Sequence, residues 1–206
     1  MSNELFRAIE QHDIAAVAAA LSAGVSPNEL ESDASGWTPL HTAIDELDEG
    51  GSIEVLRMLL AHGADVNGWD GQFEATPLLM AMFRNNMEAL RLLLDAGADP
   101  NAVSGEGEAT LRWAAEHNDV EMAALFIRFG AGQSINSFGG FSRSTPLGLA
   151  AHALNLPMIE ILLDAGADPE AVNDDGEPPI DLLPPRAKSD LQVWDRAMQL
   201  LAPRRP

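Results

Sequence analysis

Five histidines are the side chains in this sequence that are best suited to acid–base or metal chemistry: His12, His41, His62, His117 and His152. Imidazole changes charge near neutral pH and is a common metal ligand. A metal site needs three or four converging ligands, however, and only His117 and His152 stand at near-equivalent positions of the sequence. Cysteine is absent, which removes thiolate ligands, cysteine nucleophiles and disulfides together. We therefore predict no metal site and no cofactor.

The remaining short motifs are typical of loops rather than of catalysis. Asp70 and Asp175 each precede a glycine, a pair that favours turns. Neither is followed by the alternating Asp/Asn ligands and distal Glu of a calcium loop. No glycine-rich segment ends in the Lys-Ser or Lys-Thr that would cradle a phosphate. No catalytic residues are predicted, and an enzyme is not expected.

The charge of the chain limits its partners. It contains 32 acidic and 12 basic residues, a formal net charge of −20. Such a field repels nucleic acid and anionic membranes, and it attracts cationic proteins. No apolar run approaches the roughly 18 to 20 residues of a membrane span, and the acidic, amphipathic N-terminus does not read as a secretory signal. We expect a cytoplasmic protein that is monomeric when free and binds a protein with a basic surface, without binding nucleic acid or membrane.

The elements that position these residues follow an internal repeat. Five leucine-rich runs each end in a glycine, and the glycines are 39, 34, 33 and 36 residues apart. A second set of similar windows precedes these runs, and a degenerate sixth copy stands near the C-terminus. The windows are "NELFRAI" from residue 3, "TPLHTAI" from 38, "TPLLMAM" from 76, "ATLRWAA" from 109, "TPLGLAA" from 145 and "PPIDLLP" from 178.

A T-P-L-H-x-A opening with a period near 33 residues resembles the ankyrin repeat. The resemblance covers about residues 3–183. It implies an all-α solenoid of stacked helix–turn–helix units with β-hairpin-like fingers, forming a single domain over 1–206 whose first and last repeats are atypical. It also implies that His41, in the histidine slot of the motif, ties neighbouring repeats by hydrogen bonds, and that the protein is a non-catalytic interaction module.

The residue types within each repeat fit these helices. Threonine can cap a helix through its hydroxyl, and proline at the first helical position loses no hydrogen bond there. A glycine such as Gly97 adopts the left-handed conformation that ends a helix at little steric cost. The fourth repeat has Ala109 where the others have threonine, which predicts a weaker cap.

The end of the chain is predicted to form a capping helix over about 189–201. Ser189 and Gln192 have the spacing of a capping box. Leu191, Trp194 and Met198 then form one apolar stripe with Leu201, and we expect Trp194 to lie in the core.

The resemblance further implies that the fingers and the exposed inner-helix positions line a binding groove. Acidic and aromatic residues are concentrated at these positions, which is the make-up of an interface hot spot with steering charges around it. The alternative is that the aromatic side chains pack on one another. The predicted partner-binding residues are Trp37, Asp45, Glu46, Trp69, Asp70, Phe73, Phe83, Trp113, Glu116, Phe138 and Phe141.

Three functions are compatible with this pattern. The first is a module that binds a basic protein or peptide in the acidic, aromatic groove. The second is an immunity or inhibitor protein that neutralises a basic toxin or nuclease by mimicking its polyanionic substrate. The third is an architectural scaffold or self-associating solenoid.

Overall fold

Pairs of short antiparallel helices, one inner and one outer, account for most of the chain. The computed structural model describes residues 2–31, 36–71, 74–139 and 143–202. Within these ranges the helices are α1 (Ser2–Glu10), α2 (Ile14–Ser22), α3 (Pro39–Asp45), α4 (Ile53–Ala61), α5 (Pro77–Phe83), α6 (Met87–Asp95), α7 (Thr110–Glu116), α8 (Val120–Arg128), α9 (Pro146–His152), α10 (Leu156–Asp164) and α11 (Leu191–Leu201).

Contacts divide the chain into two compact units, Met1–Gly105 and Glu106–Pro206, which we call the N-terminal and C-terminal units. In the N-terminal unit the inner helix α3 packs against α1 and α5, and the outer helix α4 packs against α2 and α6. In the C-terminal unit α9 packs against α7 and α10, and α10 packs against α8 and α11. Each unit therefore contains the inner and outer helix layers that the repeat predicts.

The inner helices begin where the repeated threonines predict. The hydroxyls of Thr38, Thr76 and Thr145 accept the backbone N–H three residues later, and a proline follows each threonine at the first helical position. The helix after Ala109 has no side-chain cap, so the predicted weakness at this position is confirmed. Capping by Ser or Thr instead of Ala contributes about 1 kcal/mol.

The outer helices end at the predicted glycines. Gly97 has φ +94°, and the amides of Gly97 and Ala98 donate to the carbonyls of Leu94 and Leu93 at 3.1 and 3.0 Å. This is the pattern of a left-handed helix end, which satisfies carbonyls that the helix itself leaves open.

The fingers that connect successive repeats contain turns rather than paired strands. Across the described ranges no strand is present, and pairing is limited to isolated bridges, such as the one that joins Gly139 to Ser144. In the second finger the amide of Asp70 donates to the carbonyl of Ala75 at 3.0 Å, which closes the base of the turn. The hairpin-like form predicted for the fingers is thus reduced to such single closures.

The end of the chain differs in detail from its prediction. In the sixth repeat a 3-10 turn over Pro179–Leu182 stands in place of an inner helix, and a second 3-10 turn follows over Arg186–Lys188. The final helix starts at Leu191, because the carboxylate of Asp190, and not the hydroxyl of Ser189, accepts the first free amides. Trp194 is half-buried, and its indole N–H donates to the carbonyl of Pro184 at 2.9 Å.

The stripe predicted on this last helix is only partly covered. Leu201 is buried, together with Ala197. Leu191 and Met198 are exposed. Trp194 therefore marks the border of the covered face and is not part of the core.

Candidate protein-binding surface

Acidic side chains gather where the inner helices of the N-terminal unit end. Asp45 is the last residue of α3 and Glu46 is its C-cap. Four extra residues then lengthen the turn of the second repeat and supply Asp48. Arg84 forms ion pairs with both Asp45 and Asp48, the latter at 3.4 Å, and the His12 ring lies 2.8 Å from the Glu46 carboxylate. Asp45 and Glu46 thus contact side chains from the neighbouring repeats, and those side chains are partly exposed to solvent.

The aromatic residues of the N-terminal unit differ in exposure. Trp69 is 51% exposed and Phe83 is 38% exposed, whereas Trp37 is half-buried. Phe73 lies outside the described residues. Trp69 and Phe83 are therefore the two members of the predicted set that offer a large apolar surface in this unit.

Asp70 has a structural role at the base of the second finger. Its side chain is buried, and its Oδ1 accepts the amide of Ala75 at 3.2 Å. The carbonyl of Ala75 also accepts the Nε2–H of His41 at 3.2 Å, and the Nδ1 of His41 lies 2.8 Å from the Thr38 hydroxyl. The ring thereby joins the second repeat to the third, as the resemblance implied.

Burial controls the protonation of His41. Loss of solvent lowers the pKa of the ring below its ordinary value, while the bond to the Ala75 carbonyl and the charge of Asp70 act in the opposite direction. The side chain is fully buried, and a positive charge there loses its hydration. The neutral ring, donating through Nε2 and accepting through Nδ1, is the form that fits these contacts.

In the C-terminal unit the predicted residues are partly occupied by internal contacts. Trp113 is half-buried and stacks on His117, with ring centroids 4.0 Å apart and planes inclined by 26°. Glu116 accepts a hydrogen bond from Arg112 at 2.9 Å. Phe138 is 53% exposed, and Phe141 lies outside the described residues. Phe138 is thus the member of the set in this unit whose side chain most clearly faces solvent.

Comparison with known proteins identifies the repeat. A family model described as ankyrin repeats in three copies matches residues 3–70 and 78–173, and a second, for ankyrin repeats in many copies, matches 49–94. The chain belongs to the ankyrin-repeat family. Ankyrin repeats are typically non-catalytic modules for protein–protein interaction, so this chain carries such a module.

Solved ankyrin structures support the fold. The ankyrin-repeat protein EF0377 aligns with a TM-score of 0.75 at 23% identity, over 98% of this chain and 97% of that one. The ankyrin-repeat domain of Bcl-3, described as a unique member of the IkappaB protein family, aligns with a TM-score of 0.71 at 23% identity, over 96% and 97%. These likenesses confirm an all-α ankyrin fold.

Curated relatives match this chain over a limited part of their own length. The 2-5A-dependent ribonuclease of Mus musculus is 36% identical over 63 residues, which are 31% of this chain and 8% of that protein. The transient receptor potential cation channel subfamily A member 1 of Homo sapiens is 33% identical over 171 residues, 80% of this chain and 15% of that protein. The chain spans a small part of these relatives, whose activities belong to the whole proteins.

One unusual ankyrin position escaped the sequence reasoning. Arg112 fills the histidine slot of the fourth repeat and is 1% exposed. It pairs with Glu108 and Glu116, four residues to either side. A buried ion pair of this kind is strongly sensitive to loss of one partner. The signal was present in the sequence as an arginine in a core slot flanked by two glutamates.

A second missed feature is the finger asparagine. The side chain of Asn28 donates to the carbonyl of Gly63 at 2.9 Å and accepts the amide of Asp65 at 2.7 Å. In the long, glycine-rich fourth finger, Asn136 accepts the amide of Asp168 at 2.8 Å. The asparagine that recurs in "SPN", "ADVN" and "QSIN" therefore ties each of these fingers to the following ankyrin repeat.

Within residues 2–31, 36–71, 74–139 and 143–202, no helix is long and apolar enough to cross a membrane. No group of three or more histidine and carboxylate side chains in those ranges is placed to hold a metal ion.

Proposed function

We propose that the N-terminal unit binds a basic protein segment on the surface formed by its inner-helix ends and fingers. The observation that carries the proposal is the exposure of Trp69 and Phe83 in the more acidic part of the molecule. This unit contains 17 acidic and 4 basic residues, a net charge of −13 against −7 for the C-terminal unit.

Aromatic side chains supply a large contact area at low entropic cost, and they dominate interfaces when a partner covers them. Trp69 and Phe83 leave 51% and 38% of their surface in water. The net negative charge around them favours encounter with a cationic partner and disfavours an anionic one.

Asp45 and Glu46 have a defined part in this proposal. Asp45 already pairs with Arg84, and the Glu46 carboxylate lies 2.8 Å from the His12 ring. These contacts are partly exposed, and surface ion pairs are worth about 0–1 kcal/mol, so an arginine or lysine of a partner replaces them at small cost. The two carboxylates contribute to rate of encounter and choice of partner more than to affinity.

The predicted residues that the structure describes in the C-terminal unit are Trp113, Glu116 and Phe138, and they form a separate proposal for that unit. Phe138 supports it through its exposure of 53%. Trp113 already stacks on His117, and Glu116 is hydrogen-bonded to Arg112. We therefore assign these two residues a smaller contribution to partner binding than Phe138.

Fluorescence anisotropy with a labelled arginine-rich peptide and its glutamate counterpart tests the proposal. We expect the basic peptide to bind and the acidic one not to bind, with affinity falling at least tenfold between about 50 and 300 mM salt. Phe83→Ala together with Trp69→Ala should weaken binding without lowering the melting temperature. Equal binding of both peptides would reject the proposal.

A charge-matched pair of variants makes the test specific to the surface. Asp45→Asn with Glu46→Gln removes two charges at the inner-helix ends. Glu54→Gln with Glu88→Gln removes two exposed charges from the outer helices α4 and α6. The first variant should slow association with the basic peptide, and the second should change it much less. An equal effect of both variants would assign binding to the overall charge alone.

A further inference from the structure

One register position of the repeat carries an exposed apolar side chain in every finger. It stands two residues after the position of the finger asparagine, and large hydrophobic side chains at this position are 42% to 56% exposed. The residues are Leu30, Trp69 and Val103 in the N-terminal unit and Phe138 and Val172 in the C-terminal unit.

In the N-terminal unit, hydrogen bonds from the finger asparagines keep these side chains at a regular spacing. Asn28 bonds to the start of the second finger, and Asn67 repeats the arrangement with the third, donating to the carbonyl of Gly97 at 3.3 Å and accepting the amide of Asp99 at 2.9 Å. Because each of these asparagines is hydrogen-bonded to the next repeat, the side chain two residues after it recurs at a constant distance from one repeat to the next. Leu30, Trp69 and Val103 thus form one row, which we call the finger row.

Hydrogen bonds between the backbones of neighbouring fingers further restrict the positions of the side chains in the finger row. The amide of Gly71 donates to the carbonyl of Gly36 at 3.2 Å, and the amide of Gly105 donates to the carbonyl of Glu74 at 3.2 Å. Gly36 has φ +60°, and a Cβ there would lie 2.9 Å from the Cα of Gly71. The two fingers therefore approach as closely as glycine backbones allow, which limits their relative motion.

The step of the row determines which partner conformation fits it. Neighbouring helix layers lie about 8–10 Å apart, so the finger row offers one apolar side chain at about that interval. A polyproline II segment has three residues per turn and rises about 3.1 Å per residue, so every third side chain lies on one face at about 9.3 Å. In a β-strand, residues three apart point to opposite faces. An α-helix offers a broader apolar face of several residues per two turns.

We propose that the finger row docks an extended, polyproline II-like segment with an apolar residue at every third position and basic residues between them. The basic residues follow from the net charge of −13 on this unit. The inference rests on the proposed function and narrows the basic partner to one conformation and one spacing.

Peptides of defined spacing test it by fluorescence anisotropy. The probe is a labelled twelve-residue peptide of four Leu-Pro-Arg units. A permuted peptide has the same composition with the leucines moved off the three-residue spacing, and a helical arginine-rich peptide has leucine at every seventh position. We expect the periodic peptide to bind at least fivefold more tightly than either of the others.

Matched variants test whether the preference for the periodic peptide depends on the finger row. Trp69→Ser and Leu30→Ser should each remove the preference for the periodic peptide. Ile14→Ser replaces a side chain of similar exposure, 41%, on α2, and it should leave the preference intact. Thermal melts of all three variants should match the parent, since each side chain is exposed.

The outcomes separate this inference from the proposed function. Equal, salt-sensitive binding of the periodic and permuted peptides would overturn the proposal that the finger row selects a three-residue spacing. It would leave intact the proposal that the acidic surface binds a basic segment. Tighter binding of the helical peptide would also overturn it. A periodic peptide with glutamate in place of arginine that bound equally well would reject the basic partner, and with it both proposals.

Discussion

The two units place different chemistry in the same slot of the repeat. In the N-terminal unit the slot holds His41, fully buried and neutral, with both ring nitrogens bonded to neighbouring backbone or hydroxyl groups. In the C-terminal unit it holds Arg112, 1% exposed and paired with two glutamates. One position of one fold is thus stabilised by neutral hydrogen bonds in the first unit and by ion pairs in the second.

The difference teaches that the repeat determines where this slot lies and not its chemistry, since a polar side chain in the slot can be satisfied either by neutral hydrogen bonds or by ion pairs. His41 extends to the next repeat through the Ala75 carbonyl. Arg112 instead closes on residues four positions away on either side. The histidine therefore couples two repeats, while the two carboxylates that pair with the arginine lie four residues to either side of it. Mutation and pH should affect the two units differently for this reason.

The largest effect is expected from Arg112→Ala. Removing the arginine leaves the Glu108 carboxylate, which is buried, without its counter-charge. Loss of one partner of a buried pair costs about 3–5 kcal/mol, so the urea midpoint should fall sharply. Arg57→Ala is the control, since Arg57 pairs with Glu54 on an exposed face at 3.9 Å and such pairs contribute about 0–1 kcal/mol. Equal losses for the two variants would contradict a buried pair.

A smaller effect, of opposite sign, is expected from Ala109→Thr. The N-terminal unit caps its inner helices α3 and α5 with threonine, while α7 starts at Ala109 without a side-chain bond. Its φ and ψ of −96° and 150° are close to those of the threonine caps. The hydroxyl should raise the free energy of unfolding by about 1 kcal/mol.

Thr145→Ala offers the reciprocal measurement in the same unit, where a loss of similar size is expected. Thermal melts of both variants check the pair. A destabilised Ala109→Thr variant would mean that the irregular finger before α7 leaves no room for the cap.

The sequence predicted most of the fold because local chemistry determines it. Thr38 with its proline, and Gly97 after its leucines, begin and end helices through bonds within a few residues. The final helix was predicted two residues too early because Ser189 and Asp190 are both good caps, and only the packed structure selects between them. Element boundaries depend on such small local differences.

The candidate surface was harder to predict because exposure and pairing are three-dimensional. The sequence identified Trp69 and Phe83 as groove residues, and their exposure is compatible with that role. It also selected Asp70, whose carboxylate is buried against the Ala75 amide. Composition can identify an acidic residue, but it cannot tell whether a neighbour already satisfies it.

The smallest predicted effect is the pH dependence of the N-terminal unit. The folded-state pKa of His41 is lowered, chiefly by burial, so the unfolded chain binds the proton more readily. The stability that the neutral His41 ring contributes is then fully present above the ordinary histidine pKa of about 6.5, and this contribution is lost as the pH falls below that value. At pH 6, linkage limits the loss from one such ring to about 0.8 kcal/mol.

His41→Leu isolates this contribution, because the third repeat already holds a buried leucine, Leu79, in the same slot. The variant should be less stable at pH 7.5, since it removes the ring acceptor of the Thr38 amide and one of the two hydrogen bonds to the Ala75 carbonyl. Its free energy of unfolding should also change less between pH 7.5 and 6 than that of the parent. His62→Gln, which replaces an exposed ring at the end of α4, is the matched control for removing a histidine without disturbing the contacts of His41. If His41→Leu retained the full pH dependence, the acid sensitivity would belong to other groups. The neutral ring would then not be the difference that separates the two units.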